Sequence, residues 1–271
     1  MCERSQTVER TRRLAVAQAI AGEAGELALK YFRSRALQVS RKGPRDWVSE
    51  ADLAVEELIR RRLAETVGGD DVLGEEGGSS VRGETGYRWV FDPIDGTARF
   101  ISGLPDWSVS IACLDPDGRP LLGVVHDPLR GETFSAVAAR ALEVNGTIVT
   151  PRARRLEDGP VGVGYSPKSG HVHRTLGFIA ALMEEGGSPM IPGSAALGLA
   201  HVAAGRLVGF YEASLRAWDC LAGEVLVTAS GGWVTPFLAD GRLEGSKEVV
   251  AANRAAADLI RSLWRSLDGE G

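Results

Sequence analysis

The chain has few residues of the types that mark a disulfide-linked or zinc-binding protein. Three of its 271 residues are cysteine and four are histidine. The odd cysteine number favours a reducing compartment over a disulfide framework. The histidines at 126, 171, 173 and 201 lack the spacing of metal ligands. We therefore expect neither a disulfide scaffold nor a zinc site.

Long apolar runs and excess positive charge are also absent. No segment approaches the ~20 apolar residues of a membrane-spanning helix, and residues 1–4 do not start a signal-peptide apolar region. The formal net charge of −5 has the wrong sign for a nucleic-acid-binding surface. Arginine clusters at 60–62 and 152–155 are interpreted as solvated faces. The sequence predicts a cytoplasmic protein without membrane or nucleic-acid partners.

What is present is the pattern of a mixed α/β protein. Apolar residues make up 44% of the chain and charged residues 25%, as in ordinary globular proteins. Periodicity and turn residues indicate helices and strands in both halves. The predicted helices lie at 7–32, 51–67, 172–185, 195–204, from 218 onwards and at 254–267, and the main strands at 89–91, 107–114, 121–126, 133–137, 161–165 and 207–211. We predict an N-terminal α+β subdomain at 1–150 and a C-terminal α/β subdomain at 151–271.

The most informative stretch is residues 89–97, Trp-Val-Phe-Asp-Pro-Ile-Asp-Gly-Thr. Its apolar start reads as a buried strand, which ends at Asp92 and Asp95. Pro93 fixes the backbone between them, so that both carboxylates can converge on one hard cation. The alternative is an Asp-Pro turn that caps a helix. In the metal interpretation, the Gly-Thr that follows offers backbone N–H groups and a hydroxyl to a phosphate. A metal ion next to a phosphate-binding turn predicts phosphoryl-transfer chemistry.

Three more carboxylates stand at predicted element ends, at Asp52, Glu75 and Asp219. Each alone is more often a helix cap, a partner of the helix dipole or a solvated loop residue. Together with the pair at 92 and 95, however, they bring acids from four segments without a histidine or cysteine cluster. That donor set favours magnesium over zinc.

Five stretches, in chain order, resemble the motifs of one known protein family. They are the segment from Lys42 to Asp52, Gly74-Glu75-Glu76, residues 89–97, Gly193-Ser194-Ala195-Ala196 with Glu212, and Trp218-Asp219 with Ala222-Gly223 and Gly231-Gly232. Together they resemble the inositol monophosphatase family of magnesium-dependent, lithium-sensitive phosphatases, across residues 7–267. The resemblance implies a layered αβαβα sandwich of the sugar phosphatase type, with the site between two subdomains, and a homodimer.

The resemblance also implies two or three Mg²⁺ ions. Glu75, Asp92 and the Ile94 carbonyl would hold the first ion. Asp92, Asp95 and Asp219 would hold the second, and Glu75 would help to hold a third through waters. These assignments follow from the positions that match the family motifs.

The same resemblance implies catalytic and substrate roles. Thr97, polarised by Asp52, would orient or deprotonate the attacking water, and Glu75 belongs to the same catalytic set. The backbone N–H groups of Gly96 and Thr97 would receive the phosphate. The alcohol half of the substrate would be contacted by Ser194, Ala195 and Glu212.

The implied reaction is hydrolysis of a small phosphate monoester by a metal-activated water, with inositol monophosphate the favoured substrate. Histidinol phosphate, a 3′-phosphonucleotide and other sugar phosphates are alternatives within the family. A catalytically silent regulatory relative is an alternative of another class. Arg99 stands where the family commonly has asparagine, so it is either a surface side chain or a positive charge near the pocket.

Overall fold

The computed structural model of the protein describes residues 2–34, 37–43, 46–79, 83–165 and 170–268. Pro44, in a turn predicted at residues 42–44, lies outside them. The described residues form seven α-helices: α1 (Cys2–Phe32), α2 (Glu50–Val67), α3 (Thr97–Ile101), α4 (Val172–Glu184), α5 (Ala195–Ala203), α6 (Ala217–Ala229) and α7 (Ala257–Ser266). No helix in this part of the chain combines the length and the apolarity needed to cross a bilayer.

Fifteen strands complete the described secondary structure, and they form three sheets. The strands are β1 (Val39–Gly43), β2 (Asp46–Ser49), β3 (Asp71–Gly74), β4 (Gly78–Ser79), β5 (Arg88–Asp95), β6 (Ser108–Leu114), β7 (Pro120–Asp127), β8 (Glu132–Val137), β9 (Glu143–Val144), β10 (Thr147–Ile148), β11 (Pro160–Val163), β12 (Ser188–Met190), β13 (Gly209–Leu215), β14 (Trp233–Val234) and β15 (Lys247–Ala252). The mixed α/β class predicted from the sequence is confirmed.

The elements stack as helix, sheet, helix, sheet, helix. α1 and α2 cover one face of an eight-stranded sheet of order β10-β9-β8-β7-β6-β5-β3-β4. α5 and α6 lie between its other face and a five-stranded sheet of order β12-β11-β13-β15-β14. α4 and α7 cover the outer face of that second sheet. The layered αβαβα sandwich implied by the resemblance is therefore confirmed.

β5 lies at the centre of this arrangement because both of its faces are covered. Val90 packs into the core shared with α5 and α6, whereas Trp89 and Phe91 pack into the core under α1 and α2. Successive side chains of a strand point to opposite faces, so a strand buried on both sides reads as a continuous apolar run. The apolar run ends where the carboxylates begin.

Strand pairing brings distant acids together at the end of β5. β5 pairs in parallel with β3, with Gly74 opposite Phe91, so Glu75 follows β3 beside Asp92. On its other side β5 pairs with antiparallel β6, and the register shifts between Asp92 and Asp95. Strand pairing therefore places Asp92, Asp95 and the turn that carries Glu75 at the same edge of the sheet.

Two features differ from the sequence expectation. β15 is not among the predicted strands, because its buried run from Val249 to Ala252 is short and does not alternate with polar residues. The last helix begins at Ala257 rather than at 254, since the Asn253 side chain accepts a hydrogen bond from the Ala255 N–H at 2.9 Å and forms a turn first. The subdomain boundary at residue 150 falls between β10 and β11 and stays a prediction.

We expect Gly123→Ala to destabilise the protein by about 1–3 kcal/mol, the usual cost of overpacking. A Cβ at Gly123, on β7, would lie 2.3 Å from the backbone oxygen of Ala222 in α6, and neither backbone can yield alone. Gly22→Ala in α1 is the control, because its Cβ meets nothing within 4 Å. That change should stabilise by about 0.5–1 kcal/mol. Urea denaturation of both variants measures the change in the free energy of unfolding, and equal changes for the two variants would contradict the packing argument.

Candidate functional site

β5 ends in a sharp turn that holds two carboxylates close together. Asp92 and Asp95 are both buried, and the Ile94 N–H donates to Asp92 Oδ1 at 2.9 Å. Gly96 follows with a φ of +96°, and a Cβ there would lie 3.1 Å from the Gly193 carbonyl oxygen. Glycine is thus required both by the backbone conformation and by the close approach of the neighbouring chain.

A third carboxylate comes from the first turn of α6. The Arg216 N–H donates to Asp219 Oδ2 at 2.7 Å and so fixes the side chain at the helix start. One oxygen each of Asp92, Asp95 and Asp219 lies within 4.8 Å of the others. The structure thus brings together three of the predicted metal ligands from two separate elements.

The N-terminus of α5 holds Asp95 from the other side. Asp95 Oδ2 accepts hydrogen bonds from the Ser194 hydroxyl at 2.5 Å and from the Ala196 N–H at 2.7 Å. Ser194 Oγ in turn accepts from the Leu197 N–H and pairs with Ser108 Oγ at 2.9 Å. Ser194, predicted from the resemblance to meet the substrate alcohol, is 1% exposed and is directed at Asp95.

Burial raises the pKa of all three aspartates, and neighbouring carboxylates raise the pKa of Asp92 and of Asp219 further. For Asp92 the cause is burial first and then the charges of Glu75, Asp95 and Asp219. For Asp219 it is burial and then Asp95 and Glu75. Burial raises the pKa of Asp95 to about 6, opposed by the hydrogen bonds from Ser194 and the start of α5. Carboxylates placed so close together cannot all ionise without a compensating cation.

The donor set therefore fits a hard divalent cation. All three grouped side chains offer carboxylate oxygens, and within the described residues no histidine or cysteine joins them. Oxygen-only coordination suits magnesium rather than zinc. The hydrogen bonds to Asp95 and Asp219 each use one oxygen, Oδ2, so the other carboxylate oxygen is left for an ion.

Glu75 and the Ile94 carbonyl border this group. Glu75 lies half-buried in the turn after β3, and its side chain shares a hydrogen bond with that of Asp92. The Ile94 oxygen lies 3.2 Å from the Thr97 hydroxyl. Both predicted ligands are thus within the site, next to the three grouped aspartates.

Thr97 and Asp52 meet as expected from the sequence. The Thr97 hydroxyl donates toward Asp52 Oδ1 at 3.3 Å. Asp52 is fully buried in the first turn of α2, and its other oxygen accepts from the Ser49 N–H and hydroxyl at 2.8 and 2.6 Å. Burial raises the Asp52 pKa, and the hydrogen bonds from Ser49 and Thr97 oppose that shift. The Ile94 carbonyl, at 3.2 Å, is a second acceptor for the same hydroxyl, so Asp52 and Ile94 compete for the one Thr97 proton.

Glu212 is a further buried carboxyl, on β13. Burial, followed by the charge of Asp95, raises the Glu212 pKa to about 8. A Cβ at Gly164 would lie 2.6 Å from the Glu212 carboxyl carbon, so the backbone after β11 closes over this side chain. Ala195, at the start of α5, is also buried. Glu212 and Ala195 therefore lie on the α5–β13 side of the site.

Arg99 is half-buried rather than fully exposed. A Cβ at Gly193 would lie 2.5 Å from Arg99 Cγ and 3.0 Å from Arg99 Nε. The arginine stem therefore packs on the backbone that leads into Ser194 and α5. Arg99 thus lies partly buried next to the segment that leads to the site, and the choice between a surface role and a charge near the pocket stays a prediction.

Sequence reasoning missed two serines that support the site. Ser49 holds Asp52, and Ser108 holds Ser194, as described above. One signal was available for Ser108: on β6 it lies in a fully buried strand next to apolar residues. A buried hydroxyl needs a hydrogen-bond partner, so a serine in such a strand indicates a polar neighbour.

Comparison with known proteins finds similarity along most of the chain. The chain matches the inositol monophosphatase family over residues 9–268. It is 36% identical to the Nus factor SuhB of Salmonella typhimurium over 243 residues, 89% of this chain and 91% of the relative. It is 35% identical to the inositol-1-monophosphatase of Rhizobium meliloti over 250 residues, 91% of this chain and 93% of the relative.

Solved structures agree with the sequence comparison. The crystal structure of the extragenic suppressor protein suhB from Bartonella henselae superposes with a TM-score of 0.85 at 32% identity. The match covers 95% of this chain and 98% of that one. The similarity therefore extends over both large sheets and the helices between them.

The raised pKa values predict that stabilisation by Mg²⁺ grows with pH. A carboxyl whose pKa is higher in the folded protein than its ordinary value favours folding when it is protonated. The pKa of Asp95 is raised to about 6, so the metal-free protein loses stability as the pH rises from about 4 to about 6. Mg²⁺ favours the ionised form instead. The rise in unfolding temperature on adding Mg²⁺ should be larger at about pH 7.5 than at about pH 5.

Thermal unfolding of metal-free and Mg²⁺-loaded protein at both pH values checks this expectation. Asp95→Asn should reduce the pH dependence, whereas Asp117→Asn, at an exposed turn position, should leave it unchanged. Equal Mg²⁺ effects at the two pH values would contradict the electrostatic argument.

Proposed function

The chain belongs to the inositol monophosphatase family, and on that premise we propose that it hydrolyses a small phosphate monoester with Mg²⁺, inositol monophosphate being the favoured substrate. The observation that carries the proposal is the group formed by Asp92, Asp95 and Asp219 beside the Thr97–Asp52 pair. A cation site and a polarised hydroxyl in one place are the parts that metal-assisted hydrolysis requires.

We assign the metal ligands as the resemblance implies. Glu75, Asp92 and the Ile94 carbonyl would hold one ion, Asp92, Asp95 and Asp219 would hold a second, and Glu75 would help to hold a third. When bound, magnesium lowers the pKa of water and neutralises charge on the phosphate and on the leaving alcohol. The carboxylate group, with its raised pKa values and its oxygen-only donors, supports this assignment.

Thr97 and Asp52 are assigned to the attacking water. Asp52 accepts the hydroxyl proton of Thr97, so a lone pair of the threonine oxygen can accept a proton from water and orient it. Ser49 keeps Asp52 in place through two hydrogen bonds to the opposite carboxylate oxygen. The chain itself therefore supplies a fixed hydrogen-bond relay rather than a covalent nucleophile.

The two halves of the substrate are assigned to two sides of the site. The N–H groups of Gly96 and Thr97 receive the phosphate, and Ser194, Ala195 and Glu212 are assigned to the alcohol half. Ser194 acts there by holding Asp95, since its hydroxyl is used in that contact. The Glu212 carboxyl, with a pKa raised to about 8 by burial, can donate as well as accept a hydrogen bond near neutral pH.

Several further properties belong to the same proposal. Inhibition by lithium, a homodimer and a cytoplasmic location follow from the family resemblance and from the composition. Exposed apolar side chains on α4, among them Leu176 at 55% and Met183 at 58% exposure, are suitable for a dimer contact. Light scattering of the purified protein measures the oligomeric state directly.

A second candidate function is favoured by the names of the relatives. Several bacterial relatives, including that of Salmonella typhimurium, are called Nus factors and not phosphatases. This chain could therefore act as a regulatory partner with or without turnover. The net charge of −5 favours a protein partner over direct nucleic-acid binding in that case. Phosphate release by the purified protein separates the two functions.

We predict that Thr97→Ala lowers kcat by about 10²–10⁴-fold, the usual contribution of a positioned proton acceptor. Thr97→Ser keeps the hydroxyl and should retain most activity. Ser102→Ala is the control, because it removes an exposed hydroxyl just after α3 that bonds the Ala98 carbonyl. Steady-state phosphate release at saturating Mg²⁺ measures all three. A Thr97→Ala enzyme with wild-type kcat would contradict the relay.

For substrate choice we expect kcat/KM for inositol 1-phosphate to exceed that for histidinol phosphate. Glu212 and the start of α5 are the reason, because they resemble the polyol-contacting segment of the family. A panel of inositol, histidinol, sugar and 3′-nucleotide phosphates measures this, with Asp95→Asn as the background control. The reverse ranking would contradict the substrate assignment, and no turnover of any ester would favour the regulatory candidate.

A further inference from the structure

Glu75 differs from the other proposed metal ligands in the kind of backbone that carries it. Asp92 and Asp95 belong to β5 and Asp219 to α6, whereas Glu75 lies in a three-residue turn, residues 75–77, between the short strands β3 and β4. Gly74 pairs with Gly78 across this hairpin. Two strands of four and two residues do not by themselves hold a turn rigidly, so another group must fix it.

Glu56 on α2 provides that contact. Its side chain is buried at 4% exposure, although it is a carboxylate. Glu56 Oε2 accepts from the Glu76 N–H at 2.8 Å, and Oε1 accepts from the Gly77 N–H at 2.7 Å. These are the two N–H groups directly after Glu75. A carboxylate that accepts two consecutive N–H groups fixes the backbone between them, since charge-assisted hydrogen bonds are short and strong.

Arg60, one helical turn further along α2, completes the contact. Its Nε donates to Glu56 Oε1 at 2.8 Å, and its Nη2 donates to the Gly78 carbonyl at 2.6 Å. The buried carboxylate is thereby paired and hydrogen-bonded, as a buried charge requires. Glu56 and Arg60 together hold both the start and the end of the turn after Glu75.

Two glycines of the turn are explained by the same carboxylate. A Cβ at Gly74 would lie 2.6 Å from Glu56 Oε1, and a Cβ at Gly77 would lie 2.7 Å from it. Neither glycine has a positive φ, so conformational freedom is not the reason for glycine there. The Gly-Glu-Glu-Gly sequence is therefore shaped by the close approach of Glu56.

We propose that Glu56, paired with Arg60, is a positioning residue that fixes the turn at 75–77 so that Glu75 can bind Mg²⁺. The inference rests on the proposed magnesium site. Asp52, Glu56 and Arg60 follow one another at four-residue spacing, so they lie on one face of α2. The same helix face then holds Thr97 through Asp52, and it holds the turn of Glu75 through Glu56. It thereby sets the distance between Thr97 and Glu75.

Calorimetric titration of Mg²⁺ into the metal-free full-length protein tests the proposal without relying on turnover. Glu56→Gln keeps the side-chain shape but loses the charge and places an amide donor against N–H donors. We expect Mg²⁺ affinity to fall about tenfold, as for other residues that orient metal ligands. Glu57→Gln, the adjacent exposed residue on α2, is the matched control and should leave the affinity unchanged.

A double-mutant cycle separates positioning from general stability. If Glu56 acts through Glu75, then Glu56→Gln should cause no further loss of Mg²⁺ affinity in a Glu75→Gln protein. Equal losses in both backgrounds, or wild-type affinity of Glu56→Gln, would overturn the positioning role. If the wild-type protein itself binds no Mg²⁺, the proposed function and the positioning role are overturned together.

Gly77→Ala tests the same geometry if Glu56→Gln does not fold. It retains the buried charge, and its Cβ displaces the turn from the Glu56 carboxylate. We expect a similar loss of Mg²⁺ affinity with unchanged circular dichroism. Wild-type Mg²⁺ affinity of a folded Gly77→Ala protein would overturn the proposal.

Discussion

The repulsion between buried carboxylates is the constraint on which the rest of the site depends. Asp92 and Asp95 are buried and Asp219 is half-buried, with one oxygen of each within 4.8 Å of the others. Burial raises the pKa of all three, and neighbouring charges raise the pKa of Asp92 and of Asp219 further. Such a group is unfavourable unless each carboxylate is hydrogen-bonded and a cation compensates their charge. The elements around it supply the hydrogen bonds, and the proposed magnesium ions supply the charge.

Several acids of the site are held in a similar way. Asp52 and Asp219 each accept the N–H of the residue that precedes their helix. Asp95 accepts an N–H from the start of α5, and Asp92 accepts one from its own turn. Backbone N–H groups at helix starts have no intrahelical partner, so they are available as fixed donors. The carboxylates are thus oriented by backbone N–H groups, together with the Ser49 and Ser194 hydroxyls, and such fixed donors provide the preorganisation that catalysis requires.

The layered fold explains why the reaction and the substrate choice are separable. The proposed metal ligands Asp92 and Asp95 belong to β5 of the large sheet, whereas Glu212 belongs to β13 of the small sheet. α5 and α6 lie between the sheets. The start of α5 contacts Asp95, and Arg99 packs on the backbone at Gly193, just before α5. Changes on the small-sheet side can therefore alter the alcohol that is accepted without touching the carboxylates. A relative named inositol-1-monophosphatase and one named Nus factor match this chain to a similar extent, at 35% and 36% identity.

From local patterns, namely the apolar run, the Asp-Pro-Ile-Asp-Gly-Thr turn and the helix periodicity, the sequence predicted the mixed α/β class and the acidic turn at the end of β5. Through the family resemblance it predicted the layered fold and the phosphatase class. It also placed Thr97 with Asp52 through the family resemblance. Tertiary structure decided which groups face each other: Ser194 is directed at Asp95, and Glu56 at the turn after Glu75. A pattern cannot show these contacts, because the partners are distant in the chain and are set by how helices pack on the sheets.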